Sequence, residues 1–229
     1  MNELYHHPMS AASRAVRLLL SEYGIHPDMR EEHVWERRPE FLQMNPAATL
    51  PVYVDGDMVV VGATTISEYL DETIGPMKRD ARVFPEDARG RAEMRRVAEW
   101  CLHKLEAEVT RYTINERVMK RLMPADRGGG APDSRALRAA RTNIKYHLKY
   151  LGFLAGSRRW LAGDRFTWAD ITAAGALSVL DYLGEIDWVE DDHLRDWYAR
   201  VKSRPAFRPL LADRVRSVPP VSHYADLDF

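Results

Sequence analysis

Ser10 and Ser13 stand where a strand-like segment passes into a helix-like one, and hydroxyls at that point cap the free N–H groups of a first turn. His6-His7 invites a metal reading, but neighbours on a strand point to opposite faces and cannot share one ion. No Cys or carboxylate stands at standard zinc spacing from them, so both read as structural and no metal is expected. Cys101 falls on an apolar helical stripe, where it is a small buried hydrophobe and not a nucleophile. Gly128-Gly129-Gly130 lacks the strand-to-helix setting and the Lys-Ser/Thr of a phosphate loop, and reads as an exposed, mobile connection. Arg89, Arg91, Arg95 and Arg96 alternate with Glu86, Asp87, Glu93 and Glu99, the composition of a solvated helix face.

The elements that position these residues follow from periodicity. Residues 3–6 form a strand, and Ala15, Val16, Leu19 and Leu20 mark a helix over 13–24 that ends at Gly24. A second strand is expected over 31–35, then a short helical turn at Pro39-Glu40-Phe41-Leu42. The β-branched runs 51–54 and 58–61 flank Asp55-Gly56-Asp57, a hairpin signal, and a helix follows over 65–72. The order β-α-β-α-β-β-α makes residues 1–76 an α/β domain. A charged linker follows over 77–85, and 86–216 is all helical. Met94, Val97, Ala98, Cys101, Leu105 and Val109 form one core stripe; Leu137, Ile144, Leu148 and Leu151 form another. Residues 168–183 are apolar nearly all round, as a buried central helix requires, and Thr167-x-x-Asp170 before them is a capping box. Residues 217–229, with Pro219-Pro220, form an extended tail that cannot be regular helix.

Composition narrows the classes. Of the 229 residues 45% are apolar and 29% charged, a globular balance that excludes a disordered regulator. A net charge of -1 gives no bulk reason for a nucleic-acid or membrane partner. One cysteine excludes an internal disulfide. The N-terminus lacks a signal-peptide pattern and no apolar run spans a bilayer, so a cytoplasmic location is expected.

Several segments resemble the glutathione transferase superfamily. Leu4-Tyr5, Ser10 and Arg14-Ala15-Val16-Arg17 resemble its first strand and helix; Asn45-Pro46 with Leu50-Pro51-Val52 resembles its cis-proline loop. Residues 65–70 (Thr-Ile-Ser-Glu-Tyr-Leu), 167–171 (Thr-Trp-Ala-Asp-Ile) and Arg204-Pro205-Ala206-Phe207 resemble its third helix, its buried-helix cap and a late helix end. The resemblance covers nearly the whole chain. It implies a thioredoxin-like α/β domain followed by an all-helical domain, and a twofold homodimer. Residues 35–41, 120–123, 178–184 and 203–229 resemble, more narrowly, an alphaproteobacterial branch of FtsZ-binding, transferase-like cell-division proteins. That branch implies FtsZ polymer as partner, regulation of filament shape and constriction, and action at the division site.

The resemblance also assigns a ligand cleft to Ser10, Leu50, Pro51, Gly62 and Ala63. In these enzymes a hydroxyl at the first helix donates to the glutathione thiolate, helped by the helix dipole. Ser10 holds that place, followed by Ala11 where proline is usual, with Ser13 as a second candidate; the alternative is that both only cap the helix. An acid-Ser pair normally anchors the γ-glutamyl end. Here it falls on Gly62-Ala63, which offer no side-chain donor or acceptor, and Thr64 and Thr65 are the only nearby substitutes. Losing a charged hydrogen bond costs about 1.5–3 kcal/mol, roughly tenfold to over a hundredfold in affinity. The implication is a scaffold with no cofactor and no catalytic residue, Ser10 being vestigial; the alternative is a glutathione-dependent transferase or isomerase using Ser10.

Two segments have the composition of a binding surface. Trp35 beside Glu36, Arg37 and Arg38 is hot-spot chemistry, or else cover for the domain edge or a dimer interface. The proline-stiffened tail presents Asp226, Leu227, Asp228 and Phe229, which either bind a partner or pack on the chain's own helical domain.

Overall fold

The computed structural model describes residues 2–216 and 218–227. Strands β1 (Asn2–His6), β2 (Asp28–Glu31), β3 (Val52–Asp55) and β4 (Met58–Val61) form one sheet in the order β2-β1-β3-β4. β2 runs parallel to β1; β3 and β4 are antiparallel. The hairpin turns at Gly56 (φ 64°), where glycine carries the left-handed backbone without a Cβ clash. Helices α1 (Ala11–Glu22), α2 (Pro39–Met44) and α3 (Ala63–Thr73) complete the α/β half.

β2 corrects the expected strand over 31–35. Pairing ends at Glu31, the Glu32 amide folds back onto His6 O at 2.9 Å, and Val34–Glu36 becomes a 3-10 turn. All four β2 residues are exposed, so no burial alternation marked the strand, while apolar Val34 and Trp35 belong to the turn. The connection over 77–85 is also more than a spacer. The helical turn Gly75–Lys78 runs into it, Arg79–Ala81 lies within it, and its Val83 and Phe84 are buried. Buried Asp71 takes Arg82 at 2.7 Å and Arg91 at 2.6 Å, which ties the α/β half to the start of the helical half.

The helical half begins with α4, residues 88–122, a continuous helix wound as π-helix over Trp100–Thr110 and Asn115–Met119. Its predicted apolar stripe is buried throughout, and burial raises the Cys101 thiol to about 12, leaving it unreactive. The Gly-rich connection is exposed but built: Gly129 N bonds Pro124 O (2.9 Å), Gly130 N bonds Lys120 O (3.0 Å), and a Cβ on Gly129 would lie 1.9 Å from Met123 O. Next come α5 (Ser134–Ser157), α6 (Trp168–Tyr182) and α7 (Asp192–Lys202).

Every residue of α6 is buried. Its N-terminus carries the capping box, with the Thr167 amide 2.9 Å from Asp170 Oδ2. Asp170 also accepts from the Leu161 amide (2.9 Å) and Trp197 Nε1 (2.9 Å), so one carboxylate joins three segments. α1 crosses α6 closely at Gly175, where a Cβ would meet Ala15 N at 2.9 Å. The tail packs on its own domain: Tyr182 OH donates to Val218 O (2.7 Å), Val221 N to Tyr182 O (3.1 Å), and Tyr224 is fully buried in the turn Ser222–Ala225. Asp226 and Leu227 are exposed; Asp228 and Phe229 lie outside the described residues. No described helix is long and apolar enough to cross a membrane.

Candidate functional site

A cleft of about 630 Å³ opens between the α/β half and α4. One wall is the β1–α1 loop (His7, Ser10), Glu32 with the turn at Val34, Trp35 and Arg37, and residues 47–50; α4 supplies Glu106, Arg111, Asn115 and Met119, and its C-cap Met123. Residues 111, 115 and 119 of α4, with its C-cap Met123, recur every fourth position. They form a second stripe beside the core stripe, a periodicity present in the sequence.

Ser10 is the N-cap of α1. Its Oγ accepts from Ser13 N at 3.2 Å, and the residue lines the cleft. Ser13 is fully buried beneath it and does not line the cleft, so Ser10 alone of the two serines is placed to meet a ligand. Leu50 lines the cleft, and the Leu50–Pro51 bond is cis. Gly62 (φ 89°) is the N-cap of α3, its amide bonded to Pro51 O at 3.0 Å; Ala63 follows, buried. Thr64 and Thr65 are exposed, and Ser67, the next hydroxyl, donates to Thr64 O at 2.8 Å. No side chain at 62–63 can take an ammonium or a carboxylate. Two cleft residues without glycine's freedom, Arg37 (φ 49°) and Ala48 (φ 51°), hold left-handed backbone, at a cost of about 1–2 kcal/mol each.

Burial lowers the His7 imidazole to about 3 and His6 to about 4, so both are neutral at pH 7. The Met9 amide donates to His7 Nδ1 at 3.1 Å, which puts the ring proton on Nε2. That nitrogen lies 3.9 Å from Glu31 and has no hydrogen-bond partner. His7, Glu31 and His33 bring possible ligand atoms within 4.8 Å of one another, a trio that motif spacing around His6-His7 does not reveal. An ion at His7 Nε2 would have to displace that proton and break the Met9 bond; within the trio the hydrogen bond is His33 Nε2 with Glu31, at 3.3 Å. His6 is directed elsewhere and does not line the cleft, as alternation along a strand requires.

Trp35 is half-buried at the cleft's lip, stacked on His33 (4.5 Å between centroids, 12° between planes). Arg127, from the Gly-rich connection, donates to Trp35 O at 2.8 Å and so ties the helical half to this turn. Arg38 lies against buried Glu32, with its Nε 3.2 Å from Oε2; its guanidinium neutralises a cleft carboxylate. Burial raises the Glu106 carboxyl above the usual range, and Thr110 donates to it. No described tail residue lines the cleft.

The sequence matches the glutathione S-transferase N-terminal domain over residues 4–77 and the C-terminal domain over 134–200. It is 39% identical to FtsZ-localized protein A of Caulobacter vibrioides, across 99% of this chain and 97% of that protein. It is 30% identical to glutathione S-transferase TCHQD of Arabidopsis thaliana, across 91% and 89%. Among solved structures, a glutathione S-transferase from Sinorhizobium meliloti superposes over both entire chains with TM-score 0.99 and 63% identity. FzlA from C. crescentus superposes with TM-score 0.92 and 38% identity, over 100% of this chain and 99% of that one.

Proposed function

The chain belongs to the glutathione S-transferase family, and from that premise we propose that it is a non-catalytic member that binds FtsZ filaments and regulates their shape during constriction. One observation carries this reading: end-to-end 39% identity with FtsZ-localized protein A. The cleft chemistry supports it, because the family's γ-glutamyl anchor is replaced by Gly62-Ala63. We place the protein in the cytoplasm at the division site, as a homodimer. Two copies of one surface would crosslink a filament by avidity.

The proposed partner surface is the exposed end of the tail, Asp226 and Leu227 with Asp228 and Phe229 after them. Trp35 at the cleft lip, with Arg38 behind it, is a second contact. Packing of residues 218–225 on α6 supports this division, since it fixes the tail's base while Asp226 and Leu227 stay exposed. Asp226→Lys reverses one exposed charge without removing apolar area. Pelleting with FtsZ polymers should show at least a tenfold loss of binding, with thermal stability changed by less than about 0.5 kcal/mol. Wild-type pelleting by this variant would confine the tail to packing and move the interface to Trp35.

A second reading, a glutathione-dependent transferase or isomerase, is favoured by the Ser10 hydroxyl in the cleft and by relatives named as transferases. Retention on immobilised glutathione separates the two: the scaffold passes through the column, the enzyme does not.

A further inference from the structure

Among the described residues three aromatic side chains are exposed, Tyr112, Tyr146 and Phe153. Two of them stand on one line of α5. Tyr146 and Phe153 are seven positions apart, two turns of helix and about 10 Å, and they are 64% and 68% exposed. Half-buried Tyr150 lies between them on the helix. Trp100 of α4 meets it from across the seam, with 4.4 Å between the centroids of Trp100 and Tyr150 and 6.2 Å between those of Trp100 and Tyr146. The four rings form one strip along the α4–α5 seam. Single exposed apolar residues are ordinary, but a contiguous aromatic strip has the composition of an interface core.

The border of the strip indicates what covers it. Arg96 pairs with Glu93 at 2.7 Å and donates to Tyr150 OH. Lys104 pairs with Glu108 and lies over the Trp100 ring. These charges are neutralised within the chain, so the border exerts little net pull on a charged partner. Two exposed charges stay outside that pattern. Lys149, next to Tyr150 on α5, has no ion pair among the described residues. Glu99, next to Trp100 on α4, is held only by the imidazole of His103, at 2.9 Å. Each directly precedes one ring of the Trp100–Tyr150 pair, on antiparallel helices, so the two charges stand level on opposite flanks of the strip.

We propose that this strip docks a second copy of the chain. The inference rests on the homodimer reading and assigns its surface. A twofold axis through the seam turns α5 of one copy onto α4 of the other. It lays aromatic strip on aromatic strip and brings each Lys149 over a Glu99, so the unmatched cation and the unmatched acid answer each other. The strip shares no residue with the cleft or the tail. Both copies therefore keep the proposed filament contacts free, as crosslinking requires.

Sedimentation velocity of the full chain across micromolar concentrations tests this, with Tyr146→Glu/Phe153→Glu as the variant. Both side chains are exposed in the single chain, so the variant should fold, and thermal unfolding checks that. A dimeric wild type is expected, with a dissociation constant at least about tenfold higher in the variant. Lys149→Glu and Glu99→Lys should each weaken the dimer and together restore it. If the aromatic variant unfolds, this charge exchange decides alone, and lack of rescue overturns the proposal. A wild type that is monomeric throughout overturns it together with the homodimer reading. A dimer indifferent to the aromatic variant overturns the surface and leaves the homodimer standing. A variant that stays dimeric but no longer pellets with FtsZ polymers gives the strip to the filament instead, which also overturns it.

Discussion

Around α6, Arg14 and Asp181 are buried as fully as leucines, and each is surrounded by partners. Arg14 donates to Pro8 O (2.5 Å), Ser178 Oγ (3.1 Å) and Tyr224 OH (2.7 Å), and lies 3.3 Å from Asp213. Asp181 takes Trp188 Nε1 (2.8 Å) and Tyr198 OH (3.2 Å), with Lys202 at 3.6 Å; at the network's rim His223 Nε2 lies 3.5 Å away without a hydrogen bond. Across the cleft, neither His7 Nε2 nor the Ser10 O–H has a hydrogen-bond acceptor among the described residues, while Arg37 and Arg111 carry no ion pair there. Buried polar groups are tolerated when they satisfy one another. The α6 network is therefore fold, and it fastens the tail. The cleft keeps unmatched donors, as a surface for ligand or partner does.

The largest effect expected from this contrast is at Arg14. Arg14→Ala leaves Asp213 to Arg17 but strips the donor from Pro8, Ser178 and Tyr224 in a dry interior. The loss should be about 3–5 kcal/mol, measured by urea denaturation, with faster amide exchange over 218–225. A loss under about 1 kcal/mol would mean that apolar packing, not this hub, holds the tail. Asp170→Ala comes next. A cap alone is worth about 0.5–2 kcal/mol, but the carboxylate also serves Leu161 N and Trp197 Nε1. Orphaning those donors raises the expected loss to about 3 kcal/mol; a loss within the cap range would show that the extra bonds contribute little.

The histidines give a pH-dependent effect of intermediate size. The folded pKa of His7 is near 3, below that of an exposed imidazole. Below about pH 6.5 the unfolded chain takes up a proton that the folded chain refuses, so stability is full above that pH and falls as pH drops toward 3. The slope is about 1.4 kcal/mol per pH unit for each such histidine. Denaturation between pH 7 and 5 should show a slope that steepens toward this value as the pH falls below about 6, reduced by one histidine's share in His7→Gln. An unreduced slope would mean that His7 is solvated or protonated when folded.

Much of the contrast could be read before the fold was known, and for identifiable reasons. The α6 stripe, the Thr167-x-x-Asp170 box and the hairpin at Asp55-Gly56-Asp57 depend on residues within one turn of each other, so sequence spacing exposes them. The cleft is non-local. Resemblance points to Ser10 and Leu50, while Glu32 and Glu106 join them, and His33 joins His7, only when β2 and α4 are brought alongside. The bounds of β2 are not legible, because an exposed edge strand carries no burial alternation. Composition marks Arg38 as a contact residue; its pairing with Glu32 six positions back is not visible there, being a product of the turn between them.

The smallest expected effect, and the one that most sharpens the comparison, is at Ser10. If the cleft is a partner-facing scaffold surface, Ser10→Ala removes one capping bond, 3.2 Å long and at a half-buried helix start. Stability should fall by about 0.5–1 kcal/mol, and FtsZ pelleting should match wild type. Conjugation of glutathione to a standard electrophile should be negligible before and after the substitution, because Gly62-Ala63 cannot hold the γ-glutamyl end whatever the hydroxyl does. The enzyme reading requires the reverse: turnover on the order of 1 per second or faster in the wild type, abolished in Ser10→Ala, with retention on immobilised glutathione. In that case the O–H of Ser10 would be a thiolate donor rather than a cap, and the unmatched groups around it would belong to a substrate instead of a filament.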